Sequence, residues 1–183
     1  YTCGDRGKGT PETLHHIGDE RGFSVSVVEP VLFEGEPVSS TRIREAVERG
    51  DVSLAETLLN RRYTLEGSVI QNKRIGSRIG FPTANIEADP RRVIPADGVY
   101  ATIAFVGGSA YSAVTNIGTN PTVHGERLTI ETHLICFSAD IYGQNLTIAF
   151  CKRLRGELMF DSLDALKEQI QLDIEAAEQY LDH

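Results

Sequence analysis

Two apolar runs joined by a glycine pair, VYATIAFV-GG-SAYSAVTNIG at residues 99–118, decide the fold class of this chain. β-Branched and aromatic residues fill both runs, and the glycine pair between them is typical of a tight hairpin turn. Similar runs occur before and after this hairpin: YTLEGSVIQ from residue 63, LTIETHLICF from residue 128 and NLTIAFCKRL from residue 145. Several short strands at near-regular spacing predict a mainly β protein with a small antiparallel barrel.

The two ends of the chain have different patterns. At the carboxyl end, apolar residues recur at three- and four-residue steps, which predicts one amphipathic helix covering the barrel: Leu163, Leu166, Ile170, Ile174, Ala177 and Leu181. At the amino end, FSVSVVEPV at residues 23–31 predicts a strand, and two short helices are expected to follow Ser39 and Asp51. We therefore expect a truncated α/β segment over residues 1–60 and a barrel domain over residues 61–183.

Composition argues against several classes of protein. The 183 residues carry 26 acidic and 18 basic side chains, a net charge of −8, which disfavours a nucleic-acid partner. No apolar run approaches the ~18 residues of a membrane span, so no membrane partner is expected. The three cysteines lack the paired spacing of a zinc site or disulfide framework, and Cys136 is expected in the core. A cytoplasmic location follows as the expectation.

A loop with two glycines, within RIGSRIGFPTANI at residues 74–86, is the first candidate binding site. Gly76 and Gly80 let backbone N–H groups approach phosphate oxygens closely, and Arg78 adds positive charge. The alternative is an ordinary hairpin turn with solvated basic residues. The loop contains neither a Walker sequence nor a G-x-G-x-x-G fingerprint.

The same loop ends in a pair of oxygen-bearing side chains. Thr83 and Asn85 lie two residues apart, and they share one side of the chain if it is extended after Pro82. Hard oxygen ligands beside phosphates suit magnesium. This pair is the candidate metal site.

Two further segments offer chemistry. Glu131, on the predicted strand LTIETHLICF, could accept a hydroxyl proton during phosphoryl transfer, although a solvated glutamate is the simpler interpretation. Its neighbour His133 is expected to be a surface or packing residue. In RLRGELMF at residues 153–160, an arginine could bind an anion and Phe160 could stack on a planar ring. The alternative there is a solvated arginine with Phe160 in the core.

Taken in order, these segments resemble a known family. GSRIGFPTANI, PADGVYA, AVTNIGTNPTV, IETHLICF, DIYGQNLTIAF and RLRGEL, followed by the terminal helix, are similar to the riboflavin kinase domain of bacterial bifunctional riboflavin kinase/FMN adenylyltransferases, the FAD synthetase family. The resemblance spans residues 63–181. It implies a six-stranded Greek-key barrel that transfers the γ-phosphate of ATP to the 5′-hydroxyl of riboflavin and yields FMN and ADP.

The resemblance also implies roles for individual residues. Thr83 and Asn85 would bind Mg²⁺ and nucleotide phosphate, and Glu131 would be the general base at the riboflavin hydroxyl. The implied binding residues form two sets, the ATP loop and the flavin region, which include Thr83 and Glu131 again. The ATP loop comprises Gly76, Arg78, Gly80, Pro82 and Thr83, and the flavin region comprises Glu131, Arg155 and Phe160.

The amino-terminal segment is similar to the end of the family's adenylyltransferase domain. Its SSTRIR sequence resembles a motif whose phosphate-contacting residues would be Ser39, Ser40, Thr41 and Arg44. The family's preceding H-x-G-H element does not occur in this chain, so we expect no FMN adenylylation by it.

Several positions depart from the family pattern, and they keep other interpretations open. Asn72 stands where the family usually has glycine, Ser77 where it has a basic residue, and Leu158-Met159 where it has a more polar pair. The alternatives are a weak or inactive barrel that binds flavin or nucleotide, and a fragment of a full bifunctional FAD synthetase. The sequence leaves the oligomeric state open.

Overall fold

The structure, a computed structural model, describes residues 9–71, 79–122 and 125–182, with side chains described through residue 119 and again from residue 128. Its residues divide into two compact units, Tyr1–Val38 and Ser39–His183. The two short helices before residue 60 fall within the second unit. The expected domain boundary after residue 60 stays a prediction.

In its described residues, from residue 9 onward, the first unit contains one helix and one small hairpin. Helix α1 (Pro11–Arg21) begins after Thr10, whose side chain accepts a hydrogen bond from the backbone N–H of Thr13. Strands β1 (Leu32–Phe33) and β2 (Glu36–Pro37) pair antiparallel. The strand predicted at residues 23–31 is wrong, because those residues form no regular element. A β-branched run needs a partner strand to pair with, and the two paired strands of this unit begin at residue 32.

Two short helices precede the barrel, as predicted. Helix α2 (Ser40–Glu48) is capped by the Ser39 hydroxyl, and α3 (Val52–Leu59) is capped by the Asp51 carboxylate. Both caps accept a hydrogen bond from a backbone N–H in the first turn, which explains why the chain turns helical at these two places.

Six strands close into a barrel, which confirms the predicted fold. They are β3 (Tyr63–Ile70), β4 (Ala84–Ala88), β5 (Gly98–Val106), β6 (Ser109–Thr122), β7 (Gly125–Leu134) and β8 (Asn145–Arg155). Around the barrel their order is β3-β4-β7-β6-β5-β8, and every pairing is antiparallel. Strand β4 therefore lies beside β7 instead of its successor β5, which is a Greek-key connection.

The barrel interior is apolar apart from one line of hydroxyl groups. Large side chains such as Leu65, Tyr100 and Phe150 fill it and are fully buried. Three buried threonines on neighbouring strands bond to one another, with Oγ1–Oγ1 distances of 2.9 Å and 3.0 Å; they are Thr102, Thr115 and Thr132. Each hydroxyl in this threonine ladder is thus satisfied without water.

Helix α4 (Leu163–Leu181) covers part of the barrel's outer face, as predicted. Ile174 and Ala177 of the helix pack on Val99, Ala101 and Val114 of the barrel wall. None of the helices that the structure describes has the length and apolar character needed to cross a bilayer. The expectation for Cys136 is wrong: it is exposed, with φ of 57°, in the turn after β7.

Candidate functional site

The site begins where β4 and β7 meet. Asn85 lies directly opposite Glu131 in the antiparallel register. Their neighbours along each strand, among them Ile86 and Ile130, point into the core, so Asn85 and Glu131 share the outer face of the barrel. Asn85 is nevertheless only 7% exposed and Glu131 is half-buried. An amide and a carboxylate are thereby placed together in a partly water-excluded position.

A hydrogen bond joins this pair to the predicted phosphate loop. Thr83 Oγ1 donates to Glu131 Oε2 at 3.3 Å, although the two residues are 48 positions apart in sequence. Burial raises the pKa of the Glu131 carboxyl above its usual range, and the hydrogen bond from Thr83 opposes this by favouring the ionised form. A carboxylate with a raised pKa is suited to accept a proton near neutral pH.

The segment before Thr83 is described from residue 79 onward. Gly80 has φ of 96°, a conformation that side chains other than glycine rarely adopt, so it marks the bend into the site. Pro82 is exposed, and its carbonyl faces β7. Gly76 and Arg78 lie outside the described residues, so their predicted contacts with ATP phosphates stay predictions.

The predicted flavin residues lie on the same outer face, further round the barrel. In register, Glu131 is opposite Asn116, Asn116 is opposite Val99, and Val99 is opposite Arg155. At about 4.8 Å per strand, this row places Arg155 roughly 14 Å from Glu131 along the wall.

Arg155 forms an ion pair with Asp173. Its Nη2 lies 2.7 Å and its Nε 2.9 Å from the carboxylate of Asp173, which is buried on helix α4. The Phe160 ring lies 6.0 Å from the guanidinium carbon. Arg155 therefore ties the barrel end to the covering helix, and the half-buried Phe160 is the more available of the two for a planar ligand.

Sequence reasoning assigned no catalytic or binding role to three residues on or next to β6 and β7. Asn116 is the partner of Glu131 on β6, and the Glu157 carboxylate lies against the bare backbone of Gly118, also on β6. His133, expected at the surface or in packing, bonds to the Pro82 carbonyl and packs edge-on against Phe81. The NIG sequence with Asn116 and the RLRGEL sequence with Glu157 were both part of the family resemblance and could have indicated these two residues.

A groove lies elsewhere on the barrel. It has a volume of about 800 Å³, lies between β8 and α4, and is lined by Arg62, Lys152 and Tyr180 among others. Of the predicted site residues that the structure describes, Arg155 alone lines it. Thr83 and Glu131 do not line this groove, so we place the candidate chemistry at the β4–β7 pair.

The adenylyltransferase-like motif has a structural role in part. Ser39 caps α2 by accepting a hydrogen bond from the N–H of Arg42 at 3.2 Å, and Ser40, Thr41 and Arg44 are exposed on that helix. Their proposed contacts with phosphates stay predictions.

The oxygen atoms at the β4–β7 pair fit a hard divalent cation. The Thr83 hydroxyl and the Asn85 amide lie two residues apart on one face, next to the Glu131 carboxylate. In the described part of the chain, no cluster of three or more His, Cys, Asp or Glu side chains is placed to hold a metal, and this candidate site has one carboxylate only.

Comparison with known proteins shows the family of this chain. Residues 59–181 match the family described as Flavokinase, riboflavin kinase. This chain belongs to the riboflavin kinase family. The matched residues include every barrel strand, Thr83, Glu131 and helix α4.

Two curated relatives are longer than this chain. It is 38% identical over 181 residues to the bifunctional riboflavin kinase/FMN adenylyltransferase of Haemophilus influenzae, covering 98% of this chain and 58% of that protein. It is 40% identical over 165 residues to the enzyme of the same name from Pseudomonas fluorescens, covering 90% and 53%. The chain thus spans just over half the length of the curated relatives it matches.

A solved structure shares the fold of this riboflavin kinase family chain. It is described as a macrolide-efflux protein from Streptococcus pneumoniae and superposes with a TM-score of 0.90 at 36% identity. The match covers 97% of this chain and 57% of that one. The likeness therefore extends over both compact units.

Proposed function

We propose that this chain is a riboflavin kinase that transfers the γ-phosphate of ATP to the 5′-hydroxyl of riboflavin, forming FMN and ADP. The observation that carries the proposal is the hydrogen bond between Thr83 and Glu131. It joins the segment proposed to hold ATP phosphates to the carboxylate proposed to activate the acceptor. Family membership over residues 59–181 supports the same reaction.

Glu131 is the proposed general base. It takes the proton of the riboflavin 5′-hydroxyl while the hydroxyl oxygen bonds to the γ-phosphorus and the bond from phosphorus to the β-phosphate oxygen breaks. The hydrogen bond from Thr83 goes to Oε2 of Glu131. We therefore assign Oε1 as the oxygen that accepts the proton of the riboflavin hydroxyl. The raised pKa brings the basicity of the carboxylate closer to that needed for proton transfer.

Thr83 and Asn85 are the residues that would hold Mg²⁺ and orient the phosphates. A hydroxyl and an amide oxygen are ligands that magnesium accepts, and the ion usually takes further ligands from the nucleotide and from water. When bound, the ion supplies charge neutralisation for the phosphates. Gly80 and Pro82 shape the approach to this point, and Gly76 and Arg78 are proposed to complete the ATP loop.

Phe160 is the proposed contact for the flavin ring. It is half-buried, and it follows Leu158 and Met159, which are 53% and 100% exposed. Exposed apolar side chains next to an aromatic ring form a surface suited to a planar ligand. Arg155, paired with Asp173, is proposed to fix the start of this segment and border the flavin.

The remaining predictions complete the proposed function. The expectation that this chain forms no FAD from FMN and ATP stays a prediction, and FAD formation would contradict it. The proposed partners are small molecules alone, without nucleic acid or membrane, in the cytoplasm. The net charge of −8 supports the first of these exclusions.

A phosphorylation assay tests the proposal. FMN formation from riboflavin, ATP and Mg²⁺ is measured for the chain, for Glu131→Gln and for Glu87→Gln. Removing the base should lower kcat by about 10²- to 10⁴-fold. Glu87 lies on β4 two residues beyond Asn85 and is exposed, so it provides a matched control that should keep full activity.

Each result decides something different. Equal FMN formation by all three proteins would overturn the role of Glu131 and keep the kinase. If the folded chain formed no FMN, the proposal that it is a riboflavin kinase would be overturned. If the folded chain also quenched riboflavin fluorescence on binding, the non-catalytic barrel would be favoured, and Asn72 and Ser77 would be the first residues to revert to the family pattern.

A further inference from the structure

His133 lies two residues beyond Glu131, on the same outer face of β7. Its Nδ1 is 2.8 Å from the backbone carbonyl oxygen of Pro82. A carbonyl oxygen can only accept, so Nδ1 carries the proton and donates. The ring also packs edge-on against Phe81, with centroids 6.0 Å apart and planes at 79°. Two consecutive residues of the opposite segment therefore contact this one ring.

These contacts occur where the backbone ladder stops. Strands β4 and β7 pair at Ala84 with Thr132 and at Asn85 with Glu131, and the pairing does not continue to Thr83. The segment before Ala84 must therefore be held by side chains. Phe81 packs in the apolar cluster under helix α4, and the His133 hydrogen bond holds the next residue, Pro82.

The consequence concerns Thr83, the residue that follows. Pro82 is held by His133, and Thr83 bonds to Glu131 at 3.3 Å. Two side chains of one strand, spaced one β-repeat apart, thus hold two consecutive residues of the opposite segment. Loss of the His133 bond would free the Pro82 carbonyl and loosen the backbone that directs the Thr83 hydroxyl towards Glu131.

We propose that His133 is a positioning residue for phosphoryl transfer, which fixes the Pro82–Thr83 backbone so that Thr83 is aligned with both Glu131 and the ATP phosphates. This rests on the proposed kinase function, and His133 acts through Thr83 without touching substrate.

Three substitutions separate the hydrogen bond from the ring. His133→Asn keeps an amide donor near the place of Nδ1 but removes the ring. His133→Gln puts its donor one bond further out, near the place of Nε2, and His133→Phe keeps the ring without a donor. We expect the Gln and Phe variants to raise the KM for MgATP about five- to tenfold, the loss of roughly one hydrogen bond, with the KM for riboflavin unchanged. The Asn variant should stay within about twofold of the unchanged protein.

Two results would overturn the proposal. A Phe variant with an unchanged KM for MgATP would show that the donor is not needed. Equal loss in the Asn and Phe variants, with kcat lowered and both KM values unchanged, would assign His133 a packing role alone. Failure of the kinase proposal itself is distinct, since the unchanged protein would then make no FMN.

Two further measurements test the proposal: a double-mutant cycle between Thr83 and His133, and nitrogen NMR of the unchanged protein, which needs no variant to fold. In a Thr83→Val background, His133→Phe should change the KM for MgATP by less than about twofold, since the residue it acts through is gone; additive effects would overturn the proposal. In the unchanged protein, nitrogen NMR of the neutral His133 ring should show the proton on Nδ1. A proton on Nε2 would overturn it.

Discussion

Polar side chains on the inner and outer faces of β7 have different kinds of partner. Inside the barrel, Thr132 bonds to Thr115 on the adjacent strand. Outside it, Glu131 and His133 bond to Thr83 and to the Pro82 carbonyl, which lie 48 and 51 residues away in sequence. The inner bonds satisfy groups that the barrel itself has buried. The outer bonds bring distant segments together, and the proposed chemistry depends on them.

The outer-face ion pair between Arg155 and Asp173 should give the largest effect on stability. Asp173→Ala leaves a largely buried guanidinium without its carboxylate, so we expect the free energy of unfolding in urea to fall by about 3 kcal/mol. The matched control is Asp164→Ala on the same helix, where the acid is 90% exposed and 3.7 Å from Lys167. That change should lower the free energy of unfolding by less than about 1 kcal/mol. Equal losses would mean that the buried pair has no special role in holding α4.

The threonine ladder tests the inner face. Thr115→Val removes the central hydroxyl and leaves those of Thr102 and Thr132 without this partner, so the free energy of unfolding should fall by about 1–3 kcal/mol. KM and kcat for FMN formation should not change. Replacing all three threonines with valine should lower the free energy of unfolding by less than three times the loss caused by Thr115→Val alone. A loss of activity in Thr115→Val would show that the two faces are coupled.

The pH dependence of activity tests the outer face. Glu131 must be ionised to act as a base, and burial raises its pKa above 4.5, so kcat/KM should fall as pH decreases through that raised value. Below the raised pKa the loss should approach about tenfold per pH unit. The residual activity of Glu131→Gln should lack this acid limb. An acid limb of equal position in both proteins would assign it to another group, such as the nucleotide.

The smallest expected effect is on the stability of Glu131→Gln. A raised pKa means that the folded state binds the Glu131 proton more tightly than the unfolded state does, so the stabilisation from protonation is lost as pH rises through the folded pKa. At neutral pH the neutral glutamine should therefore raise Tm by about 1–2 °C, and this gain should disappear below pH 4.5. Glu87→Gln should leave Tm unchanged at both pH values. A lower Tm for Glu131→Gln at neutral pH would mean that the ionised carboxylate stabilises the fold.

Five of the six barrel strands could be predicted, because their apolar and polar residues alternate and turn residues bound them. β4 was missed because it is five residues long and directly follows the loop interpreted as a phosphate site. The strand predicted at residues 23–31 was wrong, since β-branched composition alone cannot supply a partner strand. Cys136 was placed in the core because its apolar neighbours hid the turn that exposes it.

The candidate residues could be named from the sequence, but their contacts could not. Thr83 and Glu131 meet because the Greek-key connection sets β4 beside β7, and no local pattern specifies a pairing across 48 residues. His133 was interpreted as a surface or packing residue for the same reason, since its partner is a backbone carbonyl on the other strand. The pairing of Arg155 with Asp173 depends on where α4 docks, which sequence periodicity leaves undefined.

Closure of the barrel has a consequence for its biosynthesis. β8 pairs with β3 on one side and β5 on the other, and Phe150 lies opposite Tyr63, 87 residues earlier. At a translation rate of about 5–20 residues per second, β3 waits roughly 4–17 s for this partner. During that interval the apolar residues of β3 and the unpaired edges of the growing sheet are exposed to other nascent chains. The finished barrel has no free strand edge, which protects the folded protein from aggregation. The growing chain lacks this protection, so we expect the yield of folded protein in cells to depend on the elongation rate and on chaperones.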